Sequence, residues 1–446
     1  MENVNNQIEI TFTTTLPEEF HIENNRLSVP SNYDTEKLRK LLNKLLGRDE
    51  SVTKEKFIFF TANILLDTNL NLFLSENNFD IQKISETGLV VNYAFEIPPP
   101  QKVNTMKEDE WIRKIVTRKN QKYDTNNLEP YIVGLFNSEL TVYNPNFEKI
   151  VKIEDENPKN KENDYCELLH DVLFFTKSDN MSQNTIIKAS RNEDALFSVY
   201  SLDLVKASYS LLYQADKHSE YANSLSLNPV DFSYFASGNS DGSIRIYKLP
   251  EVNQPNPQPE QKKKKRKTEA QLLNPELTLE DCHGHNEVKI IKWINNGQIL
   301  SSGDDFYVKL WNIQTRTLFS SFNTNYKLTT CISTVLGNEK FLTGHEDGSI
   351  RLWDMRNEST RVVFNNAHSK YVSDISTNPD TNLYSNNFSS VGYDGRMKVW
   401  DMRAMNKPLF DIATDSEKNY SVAFNSPHYL LTGGDSSTVD VYENKI

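Results

Sequence analysis

The sequence predicts a mostly β protein, in which a small α+β domain precedes a closed ring of seven antiparallel four-stranded sheets. Three observations lead to this fold class. A hairpin with a fixed aromatic position recurs along most of the chain, its period is close to the length of one four-stranded sheet, and residues 8–97 do not follow the repeat. Because one hairpin cannot bury its own faces, the copies must pack against one another.

The clearest copy of the hairpin runs from Phe341 to Asp354. Asp347-Gly348 is a strong turn signal, because Gly tolerates positive φ and Asp can bond its own backbone. Ser349 to Trp353 then alternates as a strand does. The same step of six residues, from an Asp or its substitute to an aromatic residue, recurs in copies that end at Tyr200, Tyr247, Trp311, Trp353, Trp400 and Tyr442, and a degenerate copy ends at Tyr143.

The spacing of these aromatic residues identifies the repeat. The six clearer copies are 47, 64, 42, 47 and 42 residues apart, close to the roughly 40–45 residues of one WD-repeat blade. We therefore predict a seven-bladed WD-repeat β-propeller over residues 108–446. The approximate blades are 108–150, 160–205, 206–282, 283–320, 321–364, 365–410 and 411–446, and the long third interval holds an insertion at 250–276.

Residues 1–97 form a different domain. Short apolar strands and one helix occur in the order β-β-α-β-β, followed by a helical turn and a last strand at 89–95. The helix is marked by leucines at helical spacing from Leu38 to Leu46, after an acidic start at Asp34. This order predicts a ubiquitin-like β-grasp, which ends where Pro98 begins a run of three prolines.

A linker at 98–107 joins the two domains. The chain stops four residues after Tyr442, which leaves no room for an outer strand in the last blade. A blade without that strand would expose an unpaired edge. We expect the linker to supply the missing strand and to close the ring.

The composition limits the class of protein. The net charge is −12, so the chain as a whole is not suited to coating nucleic acid. Cys166, Cys282 and Cys331 are few and far apart, which argues against a disulfide framework or a zinc site and fits a reducing compartment. The first residues lack a signal-peptide pattern, and no apolar run approaches the length of a membrane span. We expect a soluble intracellular protein with no membrane partner.

Two blades carry a His/Ser/Asp/Trp set, which raises the question of a hydrolase. Because the set recurs at the blade period, a buried hydrogen-bond network that stabilises each blade is the stronger interpretation. No Gly-rich phosphate loop, metal-ligand cluster or nucleophile elbow accompanies it, so we expect no enzyme and no cofactor. The predicted structural tetrads are His285, Ser301, Asp305 and Trp311 in blade four, and His368, Ser390, Asp394 and Trp400 in blade six.

The insertion in blade three is expected to be disordered, because it combines prolines with like charges. Its basic run favours a nuclear import signal or a phosphate-contacting segment over a merely solvated loop. An import signal and a contact with pre-rRNA do not exclude each other. The run consists of Lys262, Lys263, Lys264, Lys265, Arg266 and Lys267.

The order of the two domains resembles the NLE-domain ribosome-biogenesis family. The resemblance covers nearly the whole chain and includes the segment from Ser85 to Tyr93 and the run Ile97-Pro-Pro-Pro100. Seven blades and the basic insertion resemble the fungal Ytm branch of that family. The WD motif alone is unspecific, whereas the combination is much more specific.

The resemblance implies a place in the maturation of the 60S ribosomal subunit, in the nucleolus and nucleoplasm. The propeller would bind the block-of-proliferation protein, which also holds pescadillo, and midasin, an AAA ATPase, would pull on the ubiquitin-like domain to strip the complex from the pre-60S particle. The family's acidic key residue matches Glu86. Its carboxylate would complete the oxygen shell of a Mg²⁺ held by midasin, so the metal would be shared only at that interface.

Two other functions remain open from the sequence. A Notchless-like factor acting on a later pre-60S particle would share the N-terminal domain but have eight blades. A ubiquitin-pathway adaptor would use the propeller to select substrates and would not associate with pre-ribosomes.

Overall fold

The structure is a computed structural model. It describes residues 7–22, 25–48, 56–62, 64–80, 84, 86–119, 128–154, 169–176, 183–190, 196–215, 220–250, 271–335, 339–380, 385–404 and 406–444.

The N-terminal domain is one mixed sheet with a helix on one face. The sheet order is β2-β1-β5-β3-β4, and β1 runs parallel to β5, while the other pairs are antiparallel. The elements are β1 (Gln7–Thr14), a 3-10 turn (Glu18–Phe20), β2 (Arg26–Pro30), α1 (Thr35–Leu45), β3 (Phe57–Thr61), β4 (Ile64–Leu65), α2 (Leu70–Glu76) and β5 (Leu89–Phe95).

Helix α1 begins and packs as its sequence predicts. The Asp34 carboxylate accepts a hydrogen bond of 2.8 Å from the backbone N–H of Lys37, which satisfies one free donor of the first turn. Leu38 and Leu42 are fully buried in the core between helix and sheet. Between β1 and β2 a 3-10 turn ends at Phe20, and β2 starts at Arg26.

The rest of the described chain forms seven antiparallel four-stranded sheets, one of which gains a short fifth strand. The sheets follow one another along the chain, except that the second sheet gains β18 and the last gains β6 from elsewhere in the chain. The strands are β6 (Gln101–Lys107), β7 (Ile112–Thr117), β8 (Tyr131–Leu135), β9 (Leu140–Tyr143), β10 (Lys149–Ile153), β11 (Leu169–Phe175), β12 (Gln183–Ser190), β13 (Ser198–Asp203), β14 (Ser208–Gln214), β15 (Ala222–Leu227), β16 (Tyr234–Asn239), β17 (Ile244–Lys248), β18 (Gln271–Leu272), β19 (Leu277–Leu279), β20 (Cys282–His285), β21 (Val288–Asn295), β22 (Gln298–Gly303), β23 (Tyr307–Asn312), β24 (Thr317–Asn323), β25 (Thr329–Thr334), β26 (Lys340–His345), β27 (Ile350–Asp354), β28 (Asn357–Phe364), β29 (Val372–Thr377), β30 (Asn387–Gly392), β31 (Arg396–Asp401), β32 (Phe410–Ala413), β33 (Asn419–Ser426), β34 (Tyr429–Gly434) and β35 (Thr438–Glu443).

The first strands of the seven sheets pack side by side in a closed circle. The order is β7, β11, β15, β21, β25, β29 and β33, and β33 returns to β7. Each of these strands has a register shift just after its first paired residue, as between Ile112 and Lys114 in β7 and between Val372 and Asp374 in β29. A bulge bends and twists a strand. Because the bulge recurs at the same place, all seven inner strands bend in the same way where they approach the axis of the ring.

Strand β6, from the segment between the domains, is the outer strand of the last sheet. It pairs antiparallel with β35, from Lys107 opposite Thr438 to Gln101 opposite Glu443. The Met106 side chain is buried in the core that the first and last sheets share. The edge of the last sheet is therefore covered, and the N-terminal segment ties the two ends of the ring together.

Two boundaries differ from the sequence prediction. Strand β14, predicted in blade three, is the fourth strand of the second sheet, because a tight turn after Asp203 folds it back onto β13. The disordered insertion predicted over 250–276 is wrong for its last residues. Gln271 and Leu272 pair in parallel with β14, and Leu273 is buried in the core of the second and third sheets.

Candidate functional site

Glu86 lies in a turn that is anchored on both sides. The Gly88 backbone N–H donates a 2.8 Å hydrogen bond to the Ile84 carbonyl, and both Ile84 and Leu89 are buried. Gly88 has φ +77°, and a Cβ there would lie 3.3 Å from the Glu9 carbonyl oxygen. The turn therefore sits close against β1, while Glu86 and Thr87 remain exposed.

The Glu86 carboxylate is free to act as a ligand. Within the described residues it forms no hydrogen bond or ion pair, and no group of three His, Cys, Asp or Glu side chains able to hold a metal occurs in that part of the chain. A single carboxylate supplies one or two of the six oxygen ligands that Mg²⁺ requires. Among the described residues Glu86 has no companion ligands, so the other oxygen ligands of such a site would come from outside them.

Strand β5 separates the Glu86 turn from the ring. At the far end of β5, Ala94 packs with Phe60 and with Ala404, which lies just after β31 of the sixth sheet. Ala94 is five residues beyond Leu89, a distance of roughly 16 Å in an extended strand. The Glu86 turn therefore lies just before the start of β5, at the other end of this strand from Ala94.

The contact between the domain and the ring combines apolar, polar and charged groups. The Arg403 guanidinium lies 5.1 Å from the centre of the Phe60 ring. The Leu65 backbone N–H donates to the Asn406 side chain at 3.1 Å, and Lys407 forms an ion pair with Asp67. Nothing in the sequence signalled this contact, because its members are single residues on two domains distant along the chain.

The linker is held to the ring by charge as well as by backbone pairing. The Lys102 ammonium lies 2.7 Å from Asp415 and 2.8 Å from Asp440. Burial lowers the pKa of Lys102, but the hydrogen bonds to the two carboxylates outweigh it and the net shift is upward. This lysine therefore stays charged, and its ion pairs hold β6 against the last sheet.

In the sixth sheet the four predicted tetrad residues form one chain of hydrogen bonds. His368 Nδ1 lies 2.9 Å from the Asp394 carboxylate, and His368 Nε2 lies 2.7 Å from Ser390 Oγ. Trp400 Nε1 donates to the same Ser390 oxygen at 2.9 Å. Burial would raise the pKa of Asp394, yet the hydrogen bond and charge of His368 lower it to about 2.

In the fourth sheet the prediction of His285 is wrong, and His283 takes that place. His283 Nδ1 lies 2.8 Å from Asp305, and His283 Nε2 lies 2.7 Å from Ser301 Oγ, to which Trp311 also donates at 2.8 Å. Gly284, at φ +65°, turns the chain between the two histidines. As a result the His285 side chain is fully exposed, whereas His283 is buried.

These sets are built for packing and not for nucleophilic attack. Ser301 and Ser390 are both 0% exposed, and each hydroxyl is engaged by a histidine and a tryptophan. A nucleophile must reach its substrate from an exposed turn. The geometry therefore gives no support to the hydrolase alternative.

The fifth sheet keeps a shorter version of the network. Trp353 Nε1 donates to Thr343 Oγ1 at 2.8 Å, and His345, next but one along the strand, bonds the same hydroxyl through Nε2 at 2.8 Å. His345 Nδ1 has no hydrogen-bond partner within the described residues. Burial and the nearby Arg351 charge lower the pKa of His345 to about 4.

Other predicted features are only partly described. The basic run Lys262–Lys267 and Cys166 lie outside the described residues. Cys282 and Cys331 are free and buried, and burial raises the pKa of each thiol to about 12. Among the helices of the described residues, none has the length and apolar character needed to span a membrane.

Two family models match parts of the chain. The model described as NLE (NUC135) domain matches residues 8–74, from β1 into α2, and so ends before Glu86. The model described as WD domain, G-beta repeat, matches residues 275–312, 318–354 and 359–401. Each WD match starts in or near the outer strand of one sheet and ends with the third strand of the next sheet, which carries Trp311, Trp353 or Trp400. Each sequence repeat therefore contributes strands to two neighbouring sheets.

Whole-length relatives carry the same two parts. A protein of Anopheles gambiae named "Ribosome biogenesis protein WDR12 homolog" is 22% identical over 445 residues, which cover 99% of this chain and 96% of that protein. Proteins with the same name from Nematostella vectensis (23% identical, covering 98% and 99%) and Drosophila erecta (21% identical, covering 100% and 97%) also match. The chain therefore matches the NLE domain model near its N-terminal end and the WD-repeat model within 275–401, and it is similar from end to end to proteins named for ribosome biogenesis.

Proposed function

We propose that the protein is a non-enzymatic assembly factor for the 60S ribosomal subunit. The observation that carries this proposal is the end-to-end similarity to WDR12 homologues, which spans the N-terminal domain, the linker and the ring together. WD repeats alone occur in proteins of many functions, so the ring by itself would not carry the proposal.

The ring would serve as a docking platform within a larger complex. We interpret the seven sheets as the blades of a WD-repeat propeller, which binds the block-of-proliferation protein and, through it, joins pescadillo. The network residues of the fourth and sixth sheets are buried, and they stabilise the platform without meeting the partner. Such a rigid ring presents its loops for binding at little entropic cost.

The N-terminal domain would be the handle by which midasin removes the complex. Its sheet order β2-β1-β5-β3-β4, with a parallel pair in the centre and a helix across one face, supports the assignment of a ubiquitin-like β-grasp. Glu86 is exposed and unpaired within the described residues, as the ligand of a partner-held Mg²⁺ would need to be.

The path of the chain suits such pulling. From the Glu86 turn the chain passes through β5, the central strand of its sheet, then through Pro98–Pro100 and directly into β6. Force on the turn would therefore load two strands that are each hydrogen-bonded to neighbours. Proline stiffens the short connection between them.

Nuclear entry through Lys262–Lys267, and action in the nucleolus and nucleoplasm, complete the proposal. The relatives reported above are animal proteins, so the fungal branch inferred from the sequence stays a prediction. The seven sheets of the described residues favour this function over a Notchless-like factor, for which we expected eight blades.

A gradient experiment tests the ribosomal role. The tagged protein is expected to sediment with pre-60S particles in a sucrose gradient, and its depletion should lower the ratio of free 60S to 40S subunits. Co-purification with a ubiquitin ligase and absence from pre-ribosomal fractions would instead support the adaptor alternative and contradict the proposal.

A further inference from the structure

A cavity lies on the axis of the ring, enclosed by its inner strands. Its volume is about 340 Å³, and strands from all seven sheets contribute to its wall. This is within the range of small-ligand pockets in proteins. The inner strands of all seven sheets surround the space, so a small molecule or an extended chain end would enter it along the axis.

The charged side chains of the wall are mostly cations. Two aspartates, Asp171 and Asp374, face five basic residues, although the whole chain has a net charge of −12. The basic residues are Arg113, Lys114, Lys119, Lys289 and Lys292. The cavity is therefore a local positive region inside an acidic protein.

Both aspartates are already engaged by the structure of the ring. Asp171 accepts a 2.8 Å hydrogen bond from the Leu225 backbone N–H of the next sheet. Asp374 accepts one of 3.1 Å from Val422 in the same way, and it also lies 3.3 Å from Lys114. Their charge thus partly serves to join neighbouring sheets.

Two of the lysines are left without a counter-ion. Lys289 pairs with Asp304 at 3.1 Å, outside the cavity wall. Lys119 and Lys292, in contrast, make no ion pair and no side-chain hydrogen bond within the described residues. Both side chains are half-buried at the cavity wall, where an anion placed beside them is attracted more strongly than it would be in open water.

The titration of these lysines agrees with the geometry. Burial first, and then the charge of Lys292, lower the pKa of Lys119 to about 8, against a smaller opposing effect of Asp171. Burial and the charge of Lys114 lower the pKa of Lys292, although Asp171, Asp374 and the Cys331 thiol act in the other direction. Each lysine is thus a cation that a bound anion would stabilise.

We propose that this cavity binds a small polyphosphate anion between Lys119 and Lys292. A phosphate chain carries several charges in a compact space and offers many acceptor oxygens, so it can engage both ammonium groups at once. The wall also contains the hydroxyls of Thr117 and Ser376, which are potential donors. Nucleic-acid duplexes and folded partners are too large for the enclosed space.

Calorimetric titration of the full-length protein with sodium tripolyphosphate tests the proposal. We expect saturable binding of tripolyphosphate, and we expect that sulfate at equal ionic strength does not displace it. Lys119→Met and Lys292→Met should each weaken it by about tenfold or more, as expected for loss of a charge-assisted hydrogen bond. Lys206→Met, which removes an exposed cation on the β13–β14 turn, should leave the affinity unchanged.

Charge-retaining variants separate binding from folding. Lys119→Arg should keep the affinity at pH 7 and should lose less of it than the wild type up to pH 9, because free Lys119 loses its proton over that range and a guanidinium does not. The unliganded Lys292→Met protein should melt no lower than the wild type, since it loses an unpaired cation. Absence of saturable heat up to about 5 mM probe, or equal binding by the two methionine variants and the wild type, would overturn the proposal.

Discussion

The two neighbouring histidines of the fourth sheet offer a matched test of the buried network. His283→Ala removes a 2.7 Å hydrogen bond to Ser301 and a 2.8 Å bond to the Asp305 carboxylate, whereas His285→Ala changes a fully exposed side chain two residues away. Both substitutions remove the same imidazole, so their difference isolates the network.

The expected magnitude follows from the partners that remain. The neutral bond to Ser301 contributes about 1 kcal/mol and the bond to the carboxylate about 1.5–3 kcal/mol. Asp305 keeps Lys309 at 2.7 Å, and Ser301 keeps Trp311 at 2.8 Å, so neither is left without a partner. His283→Ala should therefore lower the free energy of unfolding by about 2.5–4 kcal/mol, and His285→Ala by less than about 0.5 kcal/mol.

Urea unfolding of the full chain, followed by pulse proteolysis, gives both free energies. A double-mutant cycle with Asp305→Asn should return a coupling of at least about 1 kcal/mol for His283 and none for His285. Equal losses for the two alanine variants, or a loss for His283→Ala within about 0.5 kcal/mol of zero, would refute the assignment of His283 to the network.

Three further predictions concern other parts of the molecule. The folded-state pKa of His345, about 4, lies below its unfolded value of about 6.5, so the unfolded state binds more protons between these values and stability is lost as the pH falls below 6.5. Through this group the free energy of unfolding should be about 2 kcal/mol lower at pH 5 than at pH 7. His345→Asn should remove that difference. Met106→Asp places a carboxylate in the core shared by the first and last sheets and should destabilise the ring by more than about 4 kcal/mol, whereas Val103→Asp on the exposed face of the same strand should cost less than about 1 kcal/mol in chemical denaturation; equal effects would contradict the closing role of β6. Ala404→Arg should separate the N-terminal domain from the ring and raise the radius of gyration in X-ray scattering without lowering the melting temperature of the ring, and an unchanged radius would argue against the contact with Phe60.

Local periodic features were predictable from the sequence. The turn at Asp347-Gly348 could be predicted from its residue types, because Gly348 has φ +77° and a Cβ there would lie 2.2 Å from the His368 carbonyl oxygen. The WD repeats are confirmed by the family model over 275–401. The strand at 101–107 could be anticipated because the last sheet lacked a fourth strand, which is a matter of counting.

Features that depend on geometry were less accessible. The sequence has a histidine on each side of Gly284, and the positive φ of that glycine decides which imidazole turns inward. The pairing of Gln271 and Leu272 with β14 joins segments nearly sixty residues apart along the chain. The contact of Ala404 with Phe60 and the cavity around Lys119 and Lys292 likewise arise only when the sheets come together.

The measurement that tests the central claim most directly is the capture of midasin by variants of the N-terminal domain in the full-length protein. Glu86→Ala should still sediment with pre-60S particles but lose midasin and accumulate on the particle, because the shared Mg²⁺ loses a ligand. Glu76→Ala, which removes an exposed carboxylate at the end of α2, should behave as the wild type in both respects. Midasin capture that is unchanged by Glu86→Ala, or reduced equally by both substitutions, would contradict the account.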